Sequence, residues 1–141
     1  MLKLLVAVLF VLGHADLQCV ESWSLWPGAR YWVKVENVLK DSLDVHCASN
    51  GYAELGLQHI PPQGQFNWTF RTQFFEKAIY QCNFTWPKHA HKSFTAFEDD
   101  QGFVDNLCGG RHCTWKAAED AIYLYRIYKK KYVKMHDWDK K

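Results

Sequence analysis

The chain has 141 residues, 48% of them hydrophobic and 16% aromatic, which is too apolar for a disordered chain and ample for one core of ordinary size. Its formal net charge of +2 is too small a bias to point to a nucleic-acid partner. No internal repeat or low-complexity linker divides it, so one domain is expected.

The chain opens as an export signal. Lys3 gives a positive start, Leu4 to Leu12 run apolar without a break, and Gly13-His14-Ala15 places small residues where a signal peptidase cuts. The apolar run falls short of the ~18 residues that span a bilayer. Residues 1–15 are therefore read as a signal peptide and 16–141 as the mature domain, with no membrane span after cleavage.

Period-two alternation then runs through most of the chain. Tyr31, Val33 and Val35 alternate with Trp32, Lys34 and Glu36, and Leu43, Val45 and Cys47 alternate with Asp44, His46 and Ala48. A short strand is expected from Glu54 to His59 with Leu55 and Leu57 on one face, closed by the turn Pro61-Pro62-Gln63-Gly64. Phe66, Trp68 and Phe70 share a face, as do Tyr80, Cys82, Phe84 and Trp86. Ser93 to Phe97 reads as a strand ended by the turn Asp99-Asp100-Gln101-Gly102, and Cys113 with Trp115 resumes the alternation after the bend at Gly109-Gly110. Ala121 to Tyr128 fits a strand or a helix with the stripe Ala117, Ala121, Leu124 and Tyr128; its Ile and Tyr content favours strand. The basic segment from about 129, with Lys129-Lys130-Lys131, Lys134, Lys140 and Lys141, reads as a solvated tail. Short strands with Gly and Pro turns indicate an all-β fold, a small disulfide-bonded antiparallel sandwich.

Cys19, Cys47, Cys82, Cys108 and Cys113 are expected to be oxidised outside the cell, with Cys19 the odd one beside the cleavage site. The other four allow three pairings, and the absence of a CxxC pair argues against zinc. Two N-glycosylation sequons, at Asn67 and Asn83, fall on outward positions of their strands. His46, His59, His89, His91 and His112 offer acid–base groups, or a metal pair from His89 and His91 on one strand face, but no motif ties them together. Neither a G-x-S-x-G elbow nor a phosphate-binding glycine loop is present. No catalytic, cofactor-binding or metal residue is assigned, no cofactor is expected, and the protein is read as not an enzyme. His46 is given a structural role toward loop backbone, and Glu54 is expected to accept from backbone N–H groups.

Several short motifs in order carry a resemblance: His46-Cys47-Ala48-Ser49, Glu54-Leu55-Gly56, Phe66-Asn67-Trp68-Thr69-Phe70, Tyr80-Gln81-Cys82-Asn83-Phe84-Thr85-Trp86, Phe94 and Phe97, Cys108 to Cys113-Thr114-Trp115, and Ala121-Ile122-Tyr123-Leu124. Their sequence and spacing, from about Trp32 to Tyr125, resemble the plant self-incompatibility protein family, the S-protein homologues. The departures are Glu54 where the family has Asp, and Ala121 where it commonly has Gly. The resemblance implies a secreted β-sandwich whose shared cysteines are Cys47, Cys82, Cys108 and Cys113, for which we expect the pairs Cys47 with Cys113 and Cys82 with Cys108. It also implies an extracellular ligand recognised by a cell-surface receptor protein, for which a monomer is expected; in the founding members a pistil protein is recognised at the pollen surface and leads to pollen rejection. The alternative is a secreted carbohydrate- or membrane-binding defence module, with a small secreted hydrolase more distant. For a ligand, contacts are expected in loops Asn50 to Ala53, Pro61 to Gly64, Lys88 to Lys92 and Asp99 to Asp105. The residues put forward are Asn50, Gly51, Tyr52, Pro61, Pro62, Gln63, Lys88, His89, Asp99 and Asp100.

Overall fold

The computed structural model describes residues 28–52, 54–73 and 75–140. The expected signal peptide, Cys19 and Ala53 lie outside the described residues. In chain order the strands are β1 (Arg30–Asn37), β2 (Leu43–Ala48), β3 (Leu57–Ile60), β4 (Gln65–Arg71), β5 (Ile79–Trp86), β6 (Ala90–Glu98), β7 (His112–Ala117), β8 (Ile122–Arg126), β9 (Lys131–His136) and β10 (Asp139–Lys140). They form two five-stranded sheets, β4-β1-β7-β8-β9 and β10-β6-β5-β2-β3. The expected sandwich is present. Its pairings are antiparallel except β1 with β7, which runs parallel.

Alternation explains the core. Val33 and Val35 of β1, Trp68 and Phe70 of β4, Trp115 of β7 and Leu124 of β8 are buried from one sheet, and Val45, Tyr80, Phe84 and Phe94 from the other. Each large apolar side chain removed from water contributes about 1.5 to 3 kcal/mol. Ring pairs lock the layers together: Phe70 lies 4.8 Å from Tyr80, and Phe94 lies 4.8 Å from Trp115. Trp115 on β7 also donates its indole N–H to the Ala96 carbonyl on β6 at 2.9 Å, so one buried polar atom bridges the sheets. The segment after Ala121 is strand, as Ile122 and Leu124 require, and continues into a short 3₁₀ turn over Ile127–Lys129.

Four local expectations are corrected. The third strand begins at Leu57 and not at Glu54, because Gly56 adopts φ +69 and breaks the alternation between the two leucines. Leu55 packs against the core, Leu57 is 57% exposed, and Ile60 takes the inward position. The turn expected at Asp99 to Gly102 is a helix start. Asp100 caps Gln101–Phe103 by accepting from the Gly102 and Phe103 N–H groups at 2.8 and 3.3 Å, and a π-helical turn continues through Val104–Cys108. Phe103, Val104 and Leu107 pack on the core and hold that turn in place.

The disulfide pairing is the third correction: the bonds are Cys47–Cys82 and Cys108–Cys113. Cys47 and Cys82 face each other in register on β2 and β5 with Cα atoms 4.1 Å apart. Cys113 belongs to the other sheet, and facing sheets stand about 10 Å apart, beyond the Cα separation of about 7 Å that a disulfide tolerates. Cys108 meets Cys113 at 5.1 Å because the chain doubles back at Gly109, where φ is +82 and an added Cβ would meet the Tyr128 ring at 2.9 Å.

The fourth correction concerns the basic C-terminal segment. Lys129, Lys130, Lys131 and Lys134 are exposed, yet the backbone from Lys131 to His136 pairs with β8 as an edge strand, and β10 crosses to pair with β6. Trp138 is buried between them and donates to the Ala118 carbonyl at 2.7 Å. His136 packs against Phe94, 4.6 Å between ring centres, and burial, then Lys92, lowers its pKa from the ordinary 6.5. A histidine with a depressed folded pKa favours the native state when neutral, and that stabilisation is lost as pH falls below 6.5 through the folded value. The urea midpoint of the wild type is therefore expected to drop on acidification more steeply than that of His136→Phe; parallel pH profiles would contradict this.

Candidate functional site

One end of the sandwich is organised around a buried polar residue that the sequence did not single out. Asn37, at the end of β1, is 1% exposed. Its amide donates to the carbonyls of Asp41, Ile60 and Pro61 at 2.9, 3.0 and 3.2 Å, and its oxygen accepts from the Leu39 N–H at 2.9 Å. Its backbone binds Gly64 and Gln63, each at 2.9 Å. These bonds fix the Pro61 to Gly64 turn, which is closed by Gly64 N–H to the Pro61 carbonyl at 2.9 Å and carries Gln63 at φ 65, the third-position geometry of a type II turn.

The neighbouring hairpin between β5 and β6 uses the same geometry. The His89 N–H donates to the Trp86 carbonyl at 3.0 Å, Pro87 sits second and Lys88 third with φ 70. The His89 ring packs on Trp86 at 4.5 Å, and the Trp86 indole donates to Asp41 Oδ2 at 3.1 Å. Trp138 comes within 6.0 Å of Trp86. Trp86, His89 and Trp138, together with Ala90, Glu119, Asp120, Asp137 and Lys140, line a cleft of about 590 Å³. Of the three lining carboxylates Asp137 is paired with Lys134 at 2.6 Å and Glu119 stands 3.9 Å from the exposed Lys40, so Asp120 and Glu119, beside two indole rings, are the groups that can meet a cationic side chain.

The sequence-derived contact residues thus split between opposite ends. Pro61, Pro62, Gln63, Lys88 and His89 rim the cleft end, where the start of β2, the end of β3 and the β5–β6 hairpin meet. Asn50, Gly51, Tyr52, Asp99 and Asp100 lie at the other end, and several of them are already engaged. Tyr52 accepts from the Gln73 N–H at 2.8 Å and donates to the Glu76 carbonyl at 3.1 Å, while Gly51 lies under the Glu76 side chain. Asp100 caps its helix and stands 3.7 Å from Lys77 Nζ, and burial raises the Asp99 carboxyl above its ordinary value.

The histidines are dispersed among separate partners. His46 Nε2 hydrogen-bonds Glu54 Oε1 at 2.8 Å, so two residues expected to serve loop backbone serve each other. His59 Nδ1 meets Asp44 Oδ1 at 2.5 Å, and His112 stacks on Trp32. His89 lies in a turn and His91 on β6, so the two do not share a strand face. Among the described residues no group of three or more His, Cys, Asp or Glu is placed to hold a metal, and no helix is long and apolar enough to cross a membrane. Asn67 and Asn83 are both exposed on outward strand positions; Asn83 also accepts from Ser93 Oγ at 2.6 Å.

Comparison with known proteins places this arrangement among relatives. The family model for plant self-incompatibility protein S1 matches residues 32–138, so the match takes in β9 and Trp138. S-protein homolog 2 of Arabidopsis thaliana is 30% identical over 121 residues, covering 83% of this chain and 73% of that protein. Self-incompatibility protein S1 of Papaver rhoeas is 27% identical over 85 residues, 58% of this chain and 57% of that one. A solved self-incompatibility protein homologue, described as one of a widespread family of small, highly stable, secreted plant proteins, superposes with a TM-score of 0.61 at 21% identity, over 79% of this chain and 96% of its own.

Proposed function

The chain belongs to the plant self-incompatibility protein S1 family, a family of secreted proteins, and from that premise we propose that it acts as an extracellular ligand for a cell-surface receptor protein, without turnover chemistry. The observation that supports this reading is the cleft end. Two type II turns present Gln63, Lys88 and His89 on one rim, the first fastened by Asn37 and the second closed by His89 on Trp86, next to paired indoles and carboxylates. A rim of this kind is pre-organised, so little ordering entropy opposes binding. The receptor is proposed to extend an arginine or lysine into the cleft, where Glu119, Asp120 and the Trp86 and Trp138 rings meet it. The process proposed is recognition between pollen and pistil, as in the founding members of the family. Asn67 and Asn83 are proposed glycan acceptors, and Asn50, Gly51, Tyr52, Asp99 and Asp100 are secondary contacts at the far end.

The test is binding of labelled, oxidised mature protein to living pollen and to vegetative plant cells, with unlabelled protein as competitor. Saturable binding to one cell type is expected, weakened roughly tenfold by Glu119→Gln or His89→Ala and only about twofold by Asn50→Ala at the secondary contact. Binding that is not saturable, or that modest salt abolishes, would count against a receptor.

A further inference from the structure

The outward face of the β4-β1-β7 part of the first sheet carries chemistry that the cleft does not use. Trp32 is in register with Thr69 on β4 and His112 on β7. Its indole and the His112 imidazole stack across β1 and β7, 4.6 Å between ring centres and 4° from parallel, which holds the indole in a fixed orientation. Trp32 is 38% exposed, the most open of the described tryptophans. Along β1 the same face presents Arg30 and Lys34 on either side of it, each about 7 Å away along the strand. Arg30 stands opposite Arg71 and is steadied by donating to Thr69 Oγ1 at 3.2 Å, while Lys116 on β7 rests 4.0 Å over the Tyr132 ring. Among the outward positions of these three strands, four cations face one carboxylate, Glu36, which is itself 3.1 Å from Lys34.

We propose that this face binds a linear acidic polysaccharide of the uronate class. A partly exposed indole held by its stack on His112 offers the C–H face of a sugar ring an apolar surface, and arginines pair sugar carboxylates through two parallel N–H donors. Arg30, Trp32 and Lys34 follow one another along β1, so an extended chain lies along the strand with a sugar against Trp32 and carboxylates at Arg30, Arg71 and Lys34. The cleft stands at the far end of β1, beyond Asn37, so the two surfaces act separately.

The probe is de-esterified polygalacturonate, compared with its fully methyl-esterified form, dextran sulfate and phosphatidylserine vesicles, with the full secreted protein at roughly physiological salt, about 0.15 M. Retention by polygalacturonate and not by the methyl ester is expected. Trp32→Ala and Arg30→Gln are each expected to weaken it roughly tenfold, with Trp32→Tyr restoring most of the loss and the urea midpoint unmoved. Asn67 lies opposite Lys34 on this face, so Asn67→Gln is measured in parallel and should bind as well or better. Several results would overturn the proposal: no retention, equal retention on dextran sulfate that is indifferent to Trp32, binding to vesicles alone, or loss of binding in Asn67→Gln.

Discussion

Asn37→Ala is expected to lower the free energy of unfolding by about 3 to 5 kcal/mol, a large effect for a change that removes only a few atoms. The magnitude follows from what the side chain leaves behind. The Leu39 N–H and the Ile60 carbonyl are buried, each bonded to Asn37, and each costs about 1 to 3 kcal/mol when left without a partner. The carbonyls of Asp41 and Pro61 are only partly buried and recover some of their loss from water. Asn37→Asp is expected to be no better, since it keeps the acceptor for Leu39, loses the donors and adds a charge at a site 1% exposed. Urea unfolding at neutral pH measures both. A loss under about 1 kcal/mol for Asn37→Ala would mean that water enters and satisfies these groups. Because the same bonds hold the Pro61 turn, Asn37→Ala should also weaken receptor binding at temperatures where it remains folded, although Asn37 itself is not on the surface.

That residue marks where the sequence stops being legible. β1, β2, β4 and β5 were readable because a half-buried strand writes its two faces into alternate positions, and Val33, Val45, Trp68 and Phe84 occupy the inward ones. The third strand was misplaced because a glycine at positive φ looks the same in sequence as any other glycine, yet it moves Leu57 to solvent. Asp-Asp-Gln-Gly signals a turn and a helix cap equally well, and only the docking of Phe103, Val104 and Leu107 decides between them. The lysines of 129–131 hid an edge strand whose register appears only through pairs such as Tyr125 with Tyr132. The cleft was illegible for a stronger reason. Trp86, Glu119 and Trp138 come from three distant segments, and nothing local in any of them refers to the others.

The disulfides illustrate the same limit and carry the second large expectation. Pairing depends on which strands are neighbours, and the direct register of Cys47 on Cys82 follows from β2 lying next to β5. Both bonds stabilise by restricting the unfolded chain, so their worth depends on the loop each closes. Cys47–Cys82 spans 35 residues and Cys108–Cys113 only 5, which corresponds to about 4 kcal/mol for the first and about 2 kcal/mol for the second on the loop-entropy relation. Paired alanine replacement of Cys47 and Cys82 is therefore expected to cost the larger amount, and replacement of Cys108 and Cys113 about half of it, when the urea midpoints are compared. The smaller loss should be more local, since Cys108 anchors the π-helical turn against β7 while the β2–β5 ladder stays intact. Peptide mapping of the oxidised protein tests the connectivity directly, and a Cys47–Cys113 peptide would overturn it. Equal costs for the two bonds would instead preserve the connectivity and show that the native contacts around each sulfur, more than the unfolded chain, set their contribution.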